Sequence, residues 1–319
     1  MTDPIAPAAD PAEDPPVATL PEKRIALWGA PGSGRTTFLA MIEEAAKESC
    51  RRVEQGPDSG HHAPGWRALP HSPGTLAFQE RARAMLFEPY AFPTGLPEPA
   101  EYRFLFRRLP RVRLLRGLAD STRFVADVRE LPILTDANQQ AVQDDLNTRT
   151  GLILLFDPTC EDEHWLENLG RLLRGAIAHQ QDRAPDVDLL PLELAVCVSK
   201  IDAPKVFREA RSGAWAKLDR HGRVRVRDPQ AFFGWLCDGR STFGRAAVGL
   251  PPLLAQYFDR IRYYATSSAG FRSPENQRID PEACHNVISS LGRLEGRPRP
   301  QGIIEPILAM RATRTTKEG

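Results

Sequence analysis

Ile25-Ala-Leu-Trp28 runs straight into Gly29-Ala-Pro-Gly-Ser-Gly34-Arg35-Thr36-Thr37, and Thr36 to Lys47 then carries apolar residues at helical spacing: Phe38, Leu39, Ile42 and Ala46. A short apolar strand, a glycine-rich turn and an amphipathic helix in that order decide the fold. The turn has the spacing G-x-x-x-x-G-K-[ST] with Arg35 in place of Lys. Glycines let backbone N–H groups converge on phosphate oxygens, the following helix turns its positive end toward them, and a hydroxyl at the Thr36 position ligates Mg²⁺. Gly29, Pro31, Gly32, Ser33, Gly34, Arg35, Thr36 and Thr37 are therefore the expected phosphate-binding residues. Arg35 changes how charge is delivered, since a planar guanidinium replaces the slim point charge of an ammonium.

Downstream, Tyr102–Leu109 and Thr122–Val128 read as an antiparallel pair of strands. Residues 151–156, GLILLF, form a continuous apolar run, the pattern of a strand buried on both faces. A helix over Glu163–Ala178, a buried strand over Leu192–Val198, a last strand over Ile261–Ala265 and a terminal helix over Ile303–Arg311 complete the alternation. The expectation is an α/β P-loop fold of three layers, α/β/α. Its sheet is expected to be mostly parallel and six-stranded, with one antiparallel strand and two insertions. Residues 1–21, with six prolines among Ala, Asp and Glu, read as a disordered arm. Residues 22–312 read as one domain with insertions near 48–100 and 204–250, and 313–319 as a flexible tail.

Composition narrows the function. With 42 basic and 41 acidic residues the net charge is +1, which argues against a nucleic-acid binder or a polybasic membrane protein. At 41% apolar and 26% charged the chain has the material for a core. Its five cysteines are scattered, with no C-x-x-C pair, and no early segment resembles a signal peptide, so a cytoplasmic location is expected. His61, His62, His71 and Cys50 match no zinc spacing. The six arginines between residues 102 and 118 read as a solvated hairpin edge. Only six of the 42 basic residues are lysines, which gives each Lys weight.

One of those lysines stands in Ser199-Lys200-Ile201-Asp202, immediately after the strand ending at Val198. The tetrapeptide resembles the N/T-K-x-D motif in which a carboxylate accepts hydrogen bonds from guanine N1 and N2 while the Lys stem packs on the base. Adenine would leave that carboxylate unpaired. Together with GAPGSGRTT (29–37), FPTGLPEPAEYRFLF (92–106), FVADVRE (124–130), GLILLFDP (151–158), VSKID (198–202) and YYATSS (263–268), it makes the chain resemble Ras-like, translation-factor-related P-loop GTPases. The likeness is closer to the bacterial double-GTPase families found beside defence and conflict proteins. It covers about half the chain.

That resemblance implies a guanine site at Ser199, Lys200, Asp202, Ser267 and Ser268, and Mg²⁺ held by Thr36, Thr94 and Asp127, with GTP or GDP as ligand. Thr75 is the second choice for the role of Thr94. Asp157, which follows four apolar residues, is the alternative Mg²⁺-supporting acid, as in many P-loop ATPases. The family expects D-x-x-G after its third strand, whereas this chain has Glu130 at the Gly position. Arg35 and Glu130 are the candidates for any catalytic role. The expectation is a guanine-nucleotide-binding switch or regulatory module with protein partners and weak or partner-dependent hydrolysis. The alternatives are a P-loop ATPase and a nucleotide-free interaction scaffold.

Overall fold

The structure is a computed structural model that describes residues 20–54, 64–93, 101–109, 122–218, 224–243, 247–272, 285–288 and 291–313. Strand β1 (Glu22–Gly29) leads through the glycine-rich turn into α1 (Arg35–Ala40) and α2 (Ile42–Glu54). Met41 N–H bonds the Thr37 carbonyl at 3.1 Å and the Met41 carbonyl accepts from Ala45 N–H at 2.8 Å, so the two helices follow each other with little break. Then come β2 (Trp66–Pro70), α3 (Pro73–Phe87), β3 (Tyr102–Arg108), β4 (Arg123–Glu130), α4 (Gln139–Asn147), β5 (Gly151–Phe156), α5 (Trp165–Gln181) and β6 (Glu193–Val198). The C-terminal third holds α6 (Pro204–Ser212), β7 (Ala216–Leu218), β8 (Val224–Val226), α7 (Pro229–Cys237), α8 (Leu250–Tyr257) and β9 (Ile261–Ala265). After them come a short pair β10 (Val287–Ile288) and β11 (Arg293–Leu294), and α9 (Ile304–Ala309).

The main sheet has seven strands in the order β2-β3-β4-β1-β5-β6-β9. β3 runs against both neighbours and all the others are parallel. The expected count of six is corrected to seven. The added edge strand is β2, inside the stretch expected to be an insertion, and Ser72 caps α3 by accepting from Thr75 N–H at 3.2 Å.

Alternation along the central strands builds two cores. Ala26 and Trp28, Leu152, Leu154 and Phe156, and Leu194, Val196 and Val198 pack with residues of α4 to α8. Ile25 and Leu27, Ile153 and Leu155, and Ala195 and Cys197 pack with α1, α2, α3 and α9 on the other face. Strands apolar at every position are thus buried on both sides, as the GLILLF run predicts. The result is a three-layer α/β/α P-loop NTPase-like fold, with the strand order reversing about β1, whose carboxyl end carries the glycine-rich turn. In open α/β sheets that reversal point is where ligands bind. Among the described residues no helix is long and apolar enough to cross a membrane.

Candidate functional site

Gly29 closes β1 where a side chain has no room: a Cβ there would lie 2.5 Å from Ser33 Oγ and 2.8 Å from the Leu155 carbonyl oxygen. Gly34 has φ 92° and precedes α1 with no side-chain cap, so the first amides of the helix face outward without an internal acceptor. Ser33 N–H bonds the Ala30 carbonyl at 3.0 Å and tightens the turn.

The turn forms one end of a cleft of about 770 Å³ at the carboxyl edge of the sheet. Gly32 to Thr37 line it from β1, Glu130 from β4, Thr159 from the loop after β5, Ser199, Lys200 and Asp202 from the loop after β6, and Thr266 and Ser268 from the loop after β9. Ser33 Oγ and Ser199 Oγ are buried without a hydrogen-bond partner among the described residues. Two unsatisfied hydroxyls on one cavity are what a site built for a polar ligand leaves open.

Arg35 does not reach into free space. Its Nη1 donates to the Leu131 carbonyl at 2.6 Å, and its Nε lies 3.3 Å from Glu130 Oε1. The two side chains are 13% and 6% exposed, so this ion pair is largely dry. Lys200, whose backbone sits at φ 53°, places Nζ 2.6 Å from Asp157 Oδ2, and Asp157 Oδ1 accepts from both Thr159 N–H and Thr159 Oγ1–H. Asp202 is buried, and burial raises its carboxyl above the usual range, opposed by a hydrogen bond from the Ser267 hydroxyl. Ser267 Oγ also accepts from Gly270 N–H at 2.7 Å, and His285 Nδ1 lies 2.8 Å from the Asp202 carbonyl oxygen. A buried carboxylate is thereby held rigidly at the wall of the cleft.

Of the expected metal ligands, Thr36 and Asp127 are not brought together. Thr36 lines the cleft, and Thr94 lies outside the described residues, two positions after Phe92 and next to Pro93, which both line it. Asp127 was expected at the end of its strand, but β4 continues to Glu130. Asp127 sits three residues earlier, about 10 Å back along the strand, and its side chain alternates onto the opposite face from Glu130. There its Oδ2 lies 3.4 Å from Arg149 Nη1, and burial pushes its pKa up while Arg149 pulls it down. Thr75 is buried at the start of α3, where its Oγ1 accepts from Arg103 N–H at 2.8 Å. Among the described residues no group of three His, Cys, Asp or Glu side chains is placed to hold a metal. From the protein, Thr36 is the hydroxyl at hand.

No protein-family model and no curated protein matches the chain. Among solved structures it is similar to Sup35 complexed with GDP, at TM-score 0.31 and 13% identity over 90% of this chain and 48% of that one. It is also similar to the Ski7 GTPase-like domain of S. cerevisiae bound to GTP, at TM-score 0.33 and 10% identity over 86% of this chain and 50% of that one. The same domain bound to GDP and inorganic phosphate gives TM-score 0.36 and 12% identity. The chain spans about half the length of these structures.

Of the remaining expected residues, Pro31 is exposed on the outer side of the turn and does not line the cleft. Ser267 stands behind Asp202, and Ser268 reaches the wall itself. Several lining residues carry no motif: Thr159, Ala203, Pro204, Lys205 and Val287. Lys205 alone had a signal in the sequence, as one of the six lysines in an arginine-rich chain.

Proposed function

We propose that the chain binds guanine nucleotides, GDP and GTP, in this cleft. A single observation carries the reading: one cavity joins the amides of Gly32–Thr37 to the buried carboxylate of Asp202, with Lys200 beside it. Amides at a helix start suit phosphates, and a fixed carboxylate suits the paired N–H donors on the guanine edge. Ser199, Thr266 and Ser268 supply further polar groups at the base end. A volume of about 770 Å³ lies within the range of small-molecule sites.

Thr36 is the residue proposed to share Mg²⁺ with the nucleotide. Asp157 spends one oxygen on Thr159 and the other on Lys200, so its use as a Mg²⁺-supporting acid in an ATPase would require those bonds to break. Hydrolysis is proposed to be weak or partner-dependent, because the only guanidinium of the phosphate loop is already held by Glu130, and phosphoryl transfer rests on positioned charge. A regulatory role beside protein partners, as in the double-GTPase families that the motifs resemble, belongs to the same proposal.

Calorimetric titration of the purified chain with GDP, GTP, ADP and ATP tests it. The guanine pair should bind at micromolar concentration or below and the adenine pair at least about 100-fold more weakly. Asp202→Ala should lower GDP affinity about 100-fold, the worth of two charge-assisted hydrogen bonds. Equal affinity for ATP and GTP overturns the guanine assignment, and no binding by either pair overturns the nucleotide reading.

A further inference from the structure

Arg35 and Glu130 are each unusual for their positions, and they pair with each other. Ninety-five residues separate them in sequence, yet Arg35 Nε lies 3.3 Å from Glu130 Oε1 and both residues line the phosphate end of the cleft. The Leu131 carbonyl takes a second guanidinium N–H at 2.6 Å. In a phosphate loop the basic residue at this position serves the outermost phosphates, while the loop amides cradle the inner ones. Here the basic charge is cancelled by a carboxylate of the same chain, in a setting only 13% and 6% exposed. Lys200 and Lys205, the other cations lining the cleft among the described residues, come from the loop and helix at the base end, and Lys200 is held by Asp157.

We infer that the Arg35–Glu130 pair makes the site selective for a nucleoside diphosphate over the triphosphate, with Glu130 as the residue that determines it. A diphosphate can be held by the amides of Gly32–Thr37 with the pair intact. A third phosphate brings further negative charge to the end where Glu130 stands. It either meets that carboxylate with the guanidinium already spent, or must pull Arg35 off Glu130 and break a largely dry ion pair. Both routes penalise the triphosphate and not the diphosphate. This inference rests on the guanine-nucleotide reading and deepens it.

The test is calorimetric titration of the full chain with GDP and with the non-hydrolysable β,γ-imido analogue of GTP, both with Mg²⁺ present. GDP should bind at least about tenfold tighter than the analogue, the size of one like-charge contact in a partly dry site. In Glu130→Gln the ratio should fall toward one because the analogue gains affinity. Equal or tighter binding of the analogue by the unmodified chain overturns the selectivity and leaves the guanine reading standing. A wild-type preference that persists unchanged in folded Glu130→Gln overturns the role of Glu130. Failure of every guanine nucleotide to bind overturns both readings. The wild-type ratio needs no variant, so the inference stays testable should Glu130→Gln fold poorly.

Discussion

Asp202 pairs full burial with a proposed task that requires charge. Burial favours its protonated form, and the Ser267 hydroxyl, His285 and Lys200 only partly offset this. Its pKa in the folded, empty site is therefore raised above 3.8, and the carboxyl keeps its proton at pH values where an unfolded Asp has lost it. Stability from this residue is present below 3.8 and is lost as pH rises through the raised value. In the proposed guanine site nucleotide affinity runs the other way, because only the carboxylate would accept both guanine N–H donors. Acidification from neutral pH toward 3.8 should therefore weaken GDP binding in the wild type more steeply than in Asp202→Asn, which binds weakly at every pH. Titration of the GDP phosphates is common to both proteins and cancels in the comparison. Parallel pH profiles in fluorescence titrations with a labelled GDP would remove Asp202 from the base site.

Strand β4 shows how an element's length reassigns a residue. It runs two residues beyond the apolar stretch, to Glu130, which carries Glu130 to the cleft and leaves Asp127 in mid-strand beside Arg149. Arg149 sits at the turn after α4, its side chain 4% exposed, and serves Asp145 at 2.8 Å, Asp127 at 3.4 Å and Glu101 at 3.5 Å. Arg149→Ala strands the buried Asp127 and should cost about 3 kcal/mol in chemical denaturation. Asp127→Asn keeps the Arg149–Asp145 contact and should cost under about 1 kcal/mol. A larger loss in Asp127→Asn than in Arg149→Ala would refute that account of the cluster. The central strands were legible in sequence because GLILLF and the runs at residues 25–28 and 192–198 are apolar at every step, as two-sided burial demands. Edge strand β2 was not, since Trp66–Pro70 is five residues long, buries only Ala68 fully and ends in proline among Gly and His. The glycine turn and the Lys200–Asp202 pair were legible because their spacing is local. The Arg35–Glu130 pair was invisible, since one partner opens the helix after β1 and the other ends β4, and only the folded sheet sets those two strands side by side.

Across the whole molecule, the cleft is lined by loops that lead into both helical layers. The phosphate loop enters α1, whose Phe38 and Leu39 belong to the core on one face. The Ser199–Pro204 loop enters α6, whose Val206 and Phe207 belong to the core on the other. A ligand that spans both loops contacts elements anchored in each core, so it binds the intact fold and not either half. Such binding stabilises by RT ln(1 + [L]/Kd), about 2.7 kcal/mol at a GDP concentration 100-fold above Kd. For a chain of this size that amounts to a rise in Tm of roughly 4 °C. The same concentration of ADP should raise Tm by less than about 1 °C, because it leaves the Asp202 end of the bridge unpaired. Asp202→Ala should lose most of the GDP-induced rise while keeping one cooperative transition. A GDP shift confined to one of two separate transitions in a calorimetric scan would show that the nucleotide holds one layer alone, and equal shifts with GDP and ADP would show that the bridge ends at the phosphates.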